Sequence, residues 1–213
     1  MRLPYVPNPP PTSSPEHAAI VSRIEARRAP RPLQSLDLTL LHAPAVADGW
    51  NAFLGAIRTQ TSLTPDVREL AISRVAVCNQ AWYEWKHHAP LAVQAGVSPG
   101  ALDVVKRDVL DATQQRPAEL SEKQWAVLLY TDEMTRNVRV KDETFARLKE
   151  LFNDQEVVEI TATVATYNCV SRFLVALDGK TDDLYFIPAL SGPSNTFAVG
   201  ERNGTGPDEV TAH

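Results

Sequence analysis

Four side chains with acid–base capacity fall in one short stretch of this chain. Residues 68–96 read RELAISRVAVCNQAWYEWKHHAPLAVQAG and carry Glu69, Glu84, His87 and His88, with Trp82, Tyr83 and Trp85 between them. Carboxylates and imidazoles beside large apolar rings are the ingredients of a desolvated proton-transfer site. Glu84 and His88 are four residues apart, so they share one face of a helix. Ala81 lies one turn earlier on that face and leaves room, and Trp85 closes one side. Glu69 belongs to the preceding helix, whose return course can bring its carboxylate to the same pocket. A carboxylate that accepts a hydrogen bond from an imidazole fixes the ring's tautomer and favours its charged form. His87 points about 100° away and reads as solvated. Trp50 and Trp125 read as plain core, and Cys78 and Cys169 as small buried hydrophobes. The set Glu69, Glu84 and His88 could ligate one divalent ion, but it fits acid–base use better, and no metal is expected.

The elements that must position these groups are helical. Of the first 15 residues six are proline, which predicts an extended arm. Ser14-Pro15-Glu16 starts a helix that ends before Pro30, and Ser35 caps a short one. Pro44 opens a third, with Val46, Trp50, Phe53, Leu54 and Ile57 in one stripe. Thr64 caps and Pro65 begins a helix that is apolar nearly all round and therefore buried, with Asp66 and Glu69 complementing its dipole. The pattern weakens at residues 78–80, resumes at Ala81 and stops near Gly96. Ser98-Pro99 starts a short helix and Ser121 the second half. Residues 141–152 are amphipathic. Asp154 caps a run to Gly179 whose many β-branched residues also suit a strand, but whose length and caps favour a buried helix. Three segments follow: an arm over residues 1–15, one all-helical domain over 16–181, and an irregular tail over 182–213. The helices beginning with Glu69 and Glu159 echo each other weakly, which is consistent with a duplicated helical hairpin.

Composition bounds the function. The 213 residues are 44% hydrophobic and 22% charged, with a formal net charge of -5. Basic residues are scattered, which argues against nucleic acid or an anionic membrane as partner. No apolar run reads as long enough to span a bilayer. Two cysteines make no disulfide framework, and a reducing, cytoplasmic setting is the simplest.

The stretch RELAISRVAVCNQAWYEWKHHAPLAVQAGVSPGAL resembles the core motif of the carboxymuconolactone decarboxylase and alkylhydroperoxidase D-like superfamily. KDETFARLKELFNDQEVVEITATVATYNCVSRFLVAL is similar to that family's second half, and the resemblance runs from about residue 33 to 178. It implies an all-α fold of antiparallel helical hairpins and a homo-oligomer (dimer, trimer or hexamer) with the pocket near subunit contacts. The peroxidase branch uses a CxxC pair, whose cysteines would fall here at Ala81 and Glu84. A thiol peroxidase needs both a thiolate and a resolving thiol, so that chemistry is not expected. The decarboxylase branch has a glutamate, a second acid and a histidine at the spacing of Glu69, Glu84 and His88, and needs no cofactor. The expected activity is thus a cofactor-free lyase or isomerase acting on a small unsaturated carboxylate, lactone or polyketide-like ring. His88 is then the general acid–base, Glu84 orients it, and Glu69 completes the relay or holds a water. Trp82, Tyr83 and Trp85 shape the wall, and Tyr167, Asn168 and Arg172 are candidates for substrate contact. A non-catalytic oligomeric binding protein with the same cluster as a structural network is the alternative, and a residual thiol role for Cys78 or Cys169 a third.

Overall fold

The computed structural model describes residues 2–177, which form nine helices and no strand. The tail over 182–213 and the end of the last helix at Gly179 lie outside the described residues. The helices are α1 (Pro15–Arg28), α2 (Ser35–Leu40), α3 (Pro44–Thr59), α4 (Pro65–Cys78), α5 (Trp82–Gln94), α6 (Pro99–Val105), α7 (Glu122–Asn137), α8 (Asp142–Leu151) and α9 (Asp154–Leu177).

Helix α4 is the axis of the molecule. It packs against α5, α7 and α9 at once. Nine of its 14 residues are buried, as expected for a helix without a polar face. Leu70, Ile72 and Val75 are fully enclosed, and burying each contributes about 1.5–3 kcal/mol. One core joins α3, α4, α7, α8 and α9. A second lies between α4, α5, α6 and α7. A third, from α1, α2 and α3, sits beside Phe173 of α9.

Local chemistry explains the boundaries. Ser14, Ser98 and Ser121 each accept a backbone N–H of the first turn through their hydroxyl. Gly96 stands at φ +92°, with Gly96 N–H donating to Val93 O and Val97 N–H to Ala92 O, the bond pattern of a Schellman stop. The same pattern ends α4. Gln80 takes φ +53°, Gln80 N–H donates to Val77 O, and Ala81 N–H donates to Ala76 O. This reversal folds α5 back along α4. The break in pattern at residues 78–80 is that turn.

Some caps differ from expectation. Thr64 holds the N-cap position of α4 but makes no side-chain cap bond, and Glu69 turns away from the dipole to another partner. Asn153, not Asp154, caps α9: its Oδ1 accepts Glu156 N–H while its own N–H donates to the Glu156 carboxylate. Gln34 precedes α2, with Gln34 N–H donating to Asp37. The N-terminal arm lies on the chain's own body, Val6 N–H donating to Leu38 O and Pro4 O meeting His42 Nε2. The sequence expectation about membrane spans also needs correction. α9 is long and apolar enough by length and composition to cross a bilayer; one of its faces is embedded in the core against α4.

Candidate active site

The α4–α5 hairpin sets Glu69 beside His88. His88 Nδ1 lies 2.7 Å from Glu69 Oε2, and Arg68 Nε donates to Oε1 of the same carboxylate at 3.3 Å. Both groups are buried. Burial alone would raise the Glu69 carboxyl, but the His88 hydrogen bond and charge, with Arg68 and Arg58, more than offset it and hold it below its ordinary value. Burial pushes His88 down, and Glu69 opposes this only in part. The pair is therefore carboxylate and neutral imidazole. An ionised carboxylate only accepts, so Nδ1 carries the ring proton and Nε2 keeps its lone pair.

Glu84 is not the partner of His88. Neither of its carboxyl oxygens has a hydrogen-bond partner among the described residues. It stands in the first turn of α5, but it cannot cap that turn by reaching back, because Ala81 N–H is already committed to Ala76 O. Burial raises its carboxyl well above the ordinary range, which favours the uncharged acid, the form with a proton to donate. Tyr167 of α9 is similar. Its ring meets that of His88 edge-on at 5.0 Å, its hydroxyl is buried without a partner, and burial pushes its pKa up so that the proton stays on.

These groups share one cavity of about 110 Å³, which Glu84, His88 and Tyr167 line together with Tyr83, Arg27 and Arg58. That volume is below the roughly 150 Å³ of an apolar cavity that holds one benzene ring, so the space limits a ligand to a single small ring at most. Two larger hollows, of about 340 and 230 Å³, lie elsewhere and gather no comparable set of acid–base groups. The α5 residues in the lining are Tyr83, Glu84, His87, His88 and Leu91, one stripe at helical spacing. His87 lies in that lining, exposed, with its ring 4.3 Å from Tyr83.

Several sequence candidates stand elsewhere. Trp85 faces the second core with Lys106 over its ring, and Trp82 is outside the cavity lining. Alternate faces of α5 separate them from Tyr83. Asn168 is engaged with Asn79 and Thr135. Arg172 is exposed and bonded to Asn168. Glu159 bonds Ser62 at the surface, so the weak internal echo does not build a second site. Trp50, read as core, is half-buried and lines the cavity.

The arginines were not foreseen. Arg27, Arg28 and Arg31 come from the end of α1 and just beyond it, and Arg58 from α3. Arg28 is bound bidentately by Asp37, and Arg27 bonds Asn51. The half-buried Arg58 guanidinium has no hydrogen bond or ion pair among the described residues. A lone arginine on an amphipathic helix looks solvated in sequence, and only the packing of α1 against α3 reveals otherwise.

The cysteines are free and apart. Cys78 Sγ donates to Asp132, and burial pushes its thiol up to about 11. Cys169 is exposed rather than buried. Neither lines the cavity. Among the described residues no three His, Cys, Asp or Glu side chains gather as a metal site.

The all-helical fold is similar to that of solved alkylhydroperoxidase D-like proteins. Within it, residues 44–126 match the carboxymuconolactone decarboxylase family, in agreement with the motif resemblance. That segment holds Glu69, Glu84, His88 and Arg58, but not α1 or Tyr167. Among solved structures, an alkylhydroperoxidase AhpD core, an uncharacterised peroxidase-related protein from Ralstonia eutropha, superposes with a TM-score of 0.63 at 23% identity, covering 86% of this chain and 94% of that one. The debrominase Bmp8, solved with 2,3,4-tribromopyrrole, gives 0.61 at 16% identity over 78% and 85%. An uncharacterised peroxidase-related protein from a Silicibacter species gives 0.60 at 16% identity over 82% and 90%. At these identities the likeness establishes the fold. No curated protein matches the chain in sequence.

Proposed function

We propose that this protein is a cofactor-free acid–base enzyme of the decarboxylase-like type, a lyase or isomerase for a small, ring-sized, unsaturated carboxylate or lactone. The carrying observation is that His88, hydrogen-bonded to Glu69, and a buried, unpartnered Glu84 line the same cavity, where burial favours the neutral imidazole and the protonated acid. Two titratable groups whose surroundings push them to opposite roles are the mark of an acid–base assignment.

In isomerisation, His88 Nε2 removes a proton from a carbon next to the conjugated carbonyl. The C–H electron pair moves into the carbonyl system, giving an enolate, and the imidazolium formed beside Glu69 returns the proton to another carbon. In decarboxylation, the C–C bond to the departing carboxylate supplies the electron pair, carbon dioxide leaves, and the dienolate takes one proton from the site, replaced from solvent. Arg58 supports an anionic substrate, since a half-buried guanidinium without a partner favours a carboxylate. Tyr83 and Trp50 supply apolar wall.

A thiol mechanism has less support: Cys78 is held as a thiol by burial, with Asp132 adding to it, and Cys169 is outside the cavity. The debrominase likeness brings halogenated small rings into the assay panel without bringing a thiol into the site. A purely structural network would leave Glu84 without a role, because a buried carboxyl lacking a partner costs stability. A cytoplasmic homo-oligomer remains part of this reading, and light scattering of the full chain tests its assembly.

The deciding experiment incubates the protein with unsaturated carboxylates, lactones and halogenated rings in deuterated water, following carbon-bound deuterium and carbon dioxide release. The expected result is turnover that His88→Ala lowers by about 10²–10⁴-fold. Full turnover in His88→Ala would end the mechanism.

A further inference from the structure

We propose that Glu84 and Tyr167 together form an oxyanion site, flanking His88 and binding the enolate oxygen of a ring-sized conjugated carbonyl compound. The inference rests on the acid–base reading above and adds to it where the developing negative charge goes.

The hydroxyl of Tyr167 and both carboxyl oxygens of Glu84 are shut from bulk water and lack partners among the described residues. Buried polar groups are nearly always hydrogen-bonded, and those that are not call for an explanation. Here both belong to residues lining one cavity. They flank the same histidine: Glu84 precedes His88 by one turn of α5, and the Tyr167 ring meets His88 edge-on at 5.0 Å. They come from different helices, α5 and α9, so no single helix explains their presence in one lining.

Both groups are in their donating form. Burial keeps the proton on Glu84 and on Tyr167. An acid held neutral by apolar surroundings, next to a phenol, is suited to stabilise an oxyanion, because such fixed donors cost no reorganisation as charge develops. Neither group accepts the substrate's proton. When His88 takes the proton from carbon, the electron pair comes to rest on the carbonyl oxygen and is held by the Tyr167 O–H and Glu84 O–H. When the proton returns, the carbonyl re-forms. The substrate class that follows is an enolisable conjugated ketone, ester or lactone with its carbonyl at the inner end of the cavity and its carboxylate toward Arg58.

Para-substituted phenols of graded acidity are the test probes, since a phenolate has the size and charge of a ring enolate. Binding to the full-length protein is followed by titration and by the absorbance of the bound phenolate. The expected result is saturable binding of the phenolate form, with affinity rising as the phenol becomes more acidic. Tyr167→Phe and Glu84→Leu each lower that affinity about tenfold, one good hydrogen bond to charge, while Glu84→Gln, which keeps a donor, retains most of it. Tyr167→Phe melts no lower than the native protein, because its hydroxyl has no partner to lose. Absence of saturable binding, equal affinity in Tyr167→Phe, or a lowered melting temperature for Tyr167→Phe overturns the inference. His88→Ala separates the two readings. If it keeps turnover while phenolate binding is intact, the base assignment fails and the oxyanion site stands. If it loses turnover while Tyr167→Phe changes neither binding nor rate, the reverse holds.

Discussion

His88 donates its hydrogen bond to the helix before its own: its Nδ1 sits 2.7 Å from Oε2 of Glu69, 19 residues earlier in the chain. The carboxylate one turn away, Glu84, is left without a partner. Two glutamates of similar sequence prominence thereby acquire opposite states. Glu69 is ionised and raises the basicity of the imidazole, whereas Glu84 is protonated and donates.

The first consequence concerns Glu69→Gln. The amide oxygen still accepts from Nδ1, so the tautomer survives, but the charge that favours imidazolium is gone. His88, already lowered by burial, falls further. Turnover should drop about 100-fold, at the low end of general acid–base catalysis, and the acid limb of the pH–rate profile should move to lower pH. An unmoved acid limb would show that another group sets it.

Glu84 sets a trade between stability and activity. Its folded-state pKa is raised, so the folded protein keeps a proton that the unfolded chain releases above about pH 4.3. The folded state is then penalised progressively as pH rises from that value to its own pKa. Glu84→Gln removes the penalty. Urea unfolding at about pH 4, 5 and 6 should show equal stabilities at the lowest pH, then an advantage to the variant growing by about 1.4 kcal/mol per unit. Activity should fall in Glu84→Leu, which has no donor, more than in Glu84→Gln, which keeps one. His88 acts in the other sense: its lowered pKa adds stability that is present above about pH 6.5 and lost as pH falls below it.

The legible parts of this molecule are the local ones. Ser14, Ser98 and Ser121 start helices and Gly96 stops one by bonds within a few residues, and their positions follow from residue type. The meeting of Glu69 with His88 was open to sequence reasoning because a tight turn at residues 78–80 must return α5 along α4. What separates Tyr83 from Trp82 and Trp85 is the rotation of α5 about its axis, which apolar residues on every face leave undefined. The arginine pole escaped for a different reason. Arg27 and Arg58 lie 31 positions apart on two helices with polar faces, and only the α1–α3 packing encloses them. The same ambiguity misassigned Arg172, whose helix turns it to solvent.

Arg58 is therefore the sharper test of how substrate is held. Replacing it by glutamine removes a charge-assisted contact worth about 1.5–3 kcal/mol. The Michaelis constant for a carboxylate substrate should rise about 10- to 100-fold, with little change in kcat. Because the Arg58 charge also lowers His88, the acid limb should move to higher pH, opposite to its movement in Glu69→Gln. A shift of both variants in one direction would mean that the limb reports a structural transition instead of His88.

A second buried charge pair holds the scaffold on which this chemistry depends. Arg74 of α4 is wholly enclosed and donates to Asp132 of α7, to Val105 O at 2.6 Å and to Asp108 O at 3.0 Å. It ties the axial helix to α7 and to the segment after α6. Asp132 also receives Cys78 Sγ and Arg136 Nε. Arg74→Met leaves a buried carboxylate and three carbonyls, those of Val105, Arg107 and Asp108, each short of a donor, so unfolding free energy should fall by about 3–5 kcal/mol. Asp132→Leu added to that variant removes the carboxylate left with Arg136 as its remaining cation and should recover part of the loss, giving a coupling of about 1–3 kcal/mol in a double-mutant cycle. Denaturant titration of the four proteins measures it. Additive losses would show that Arg74 works mainly through the carbonyls after α6, and that the ion pair itself contributes little to holding α4 against α7.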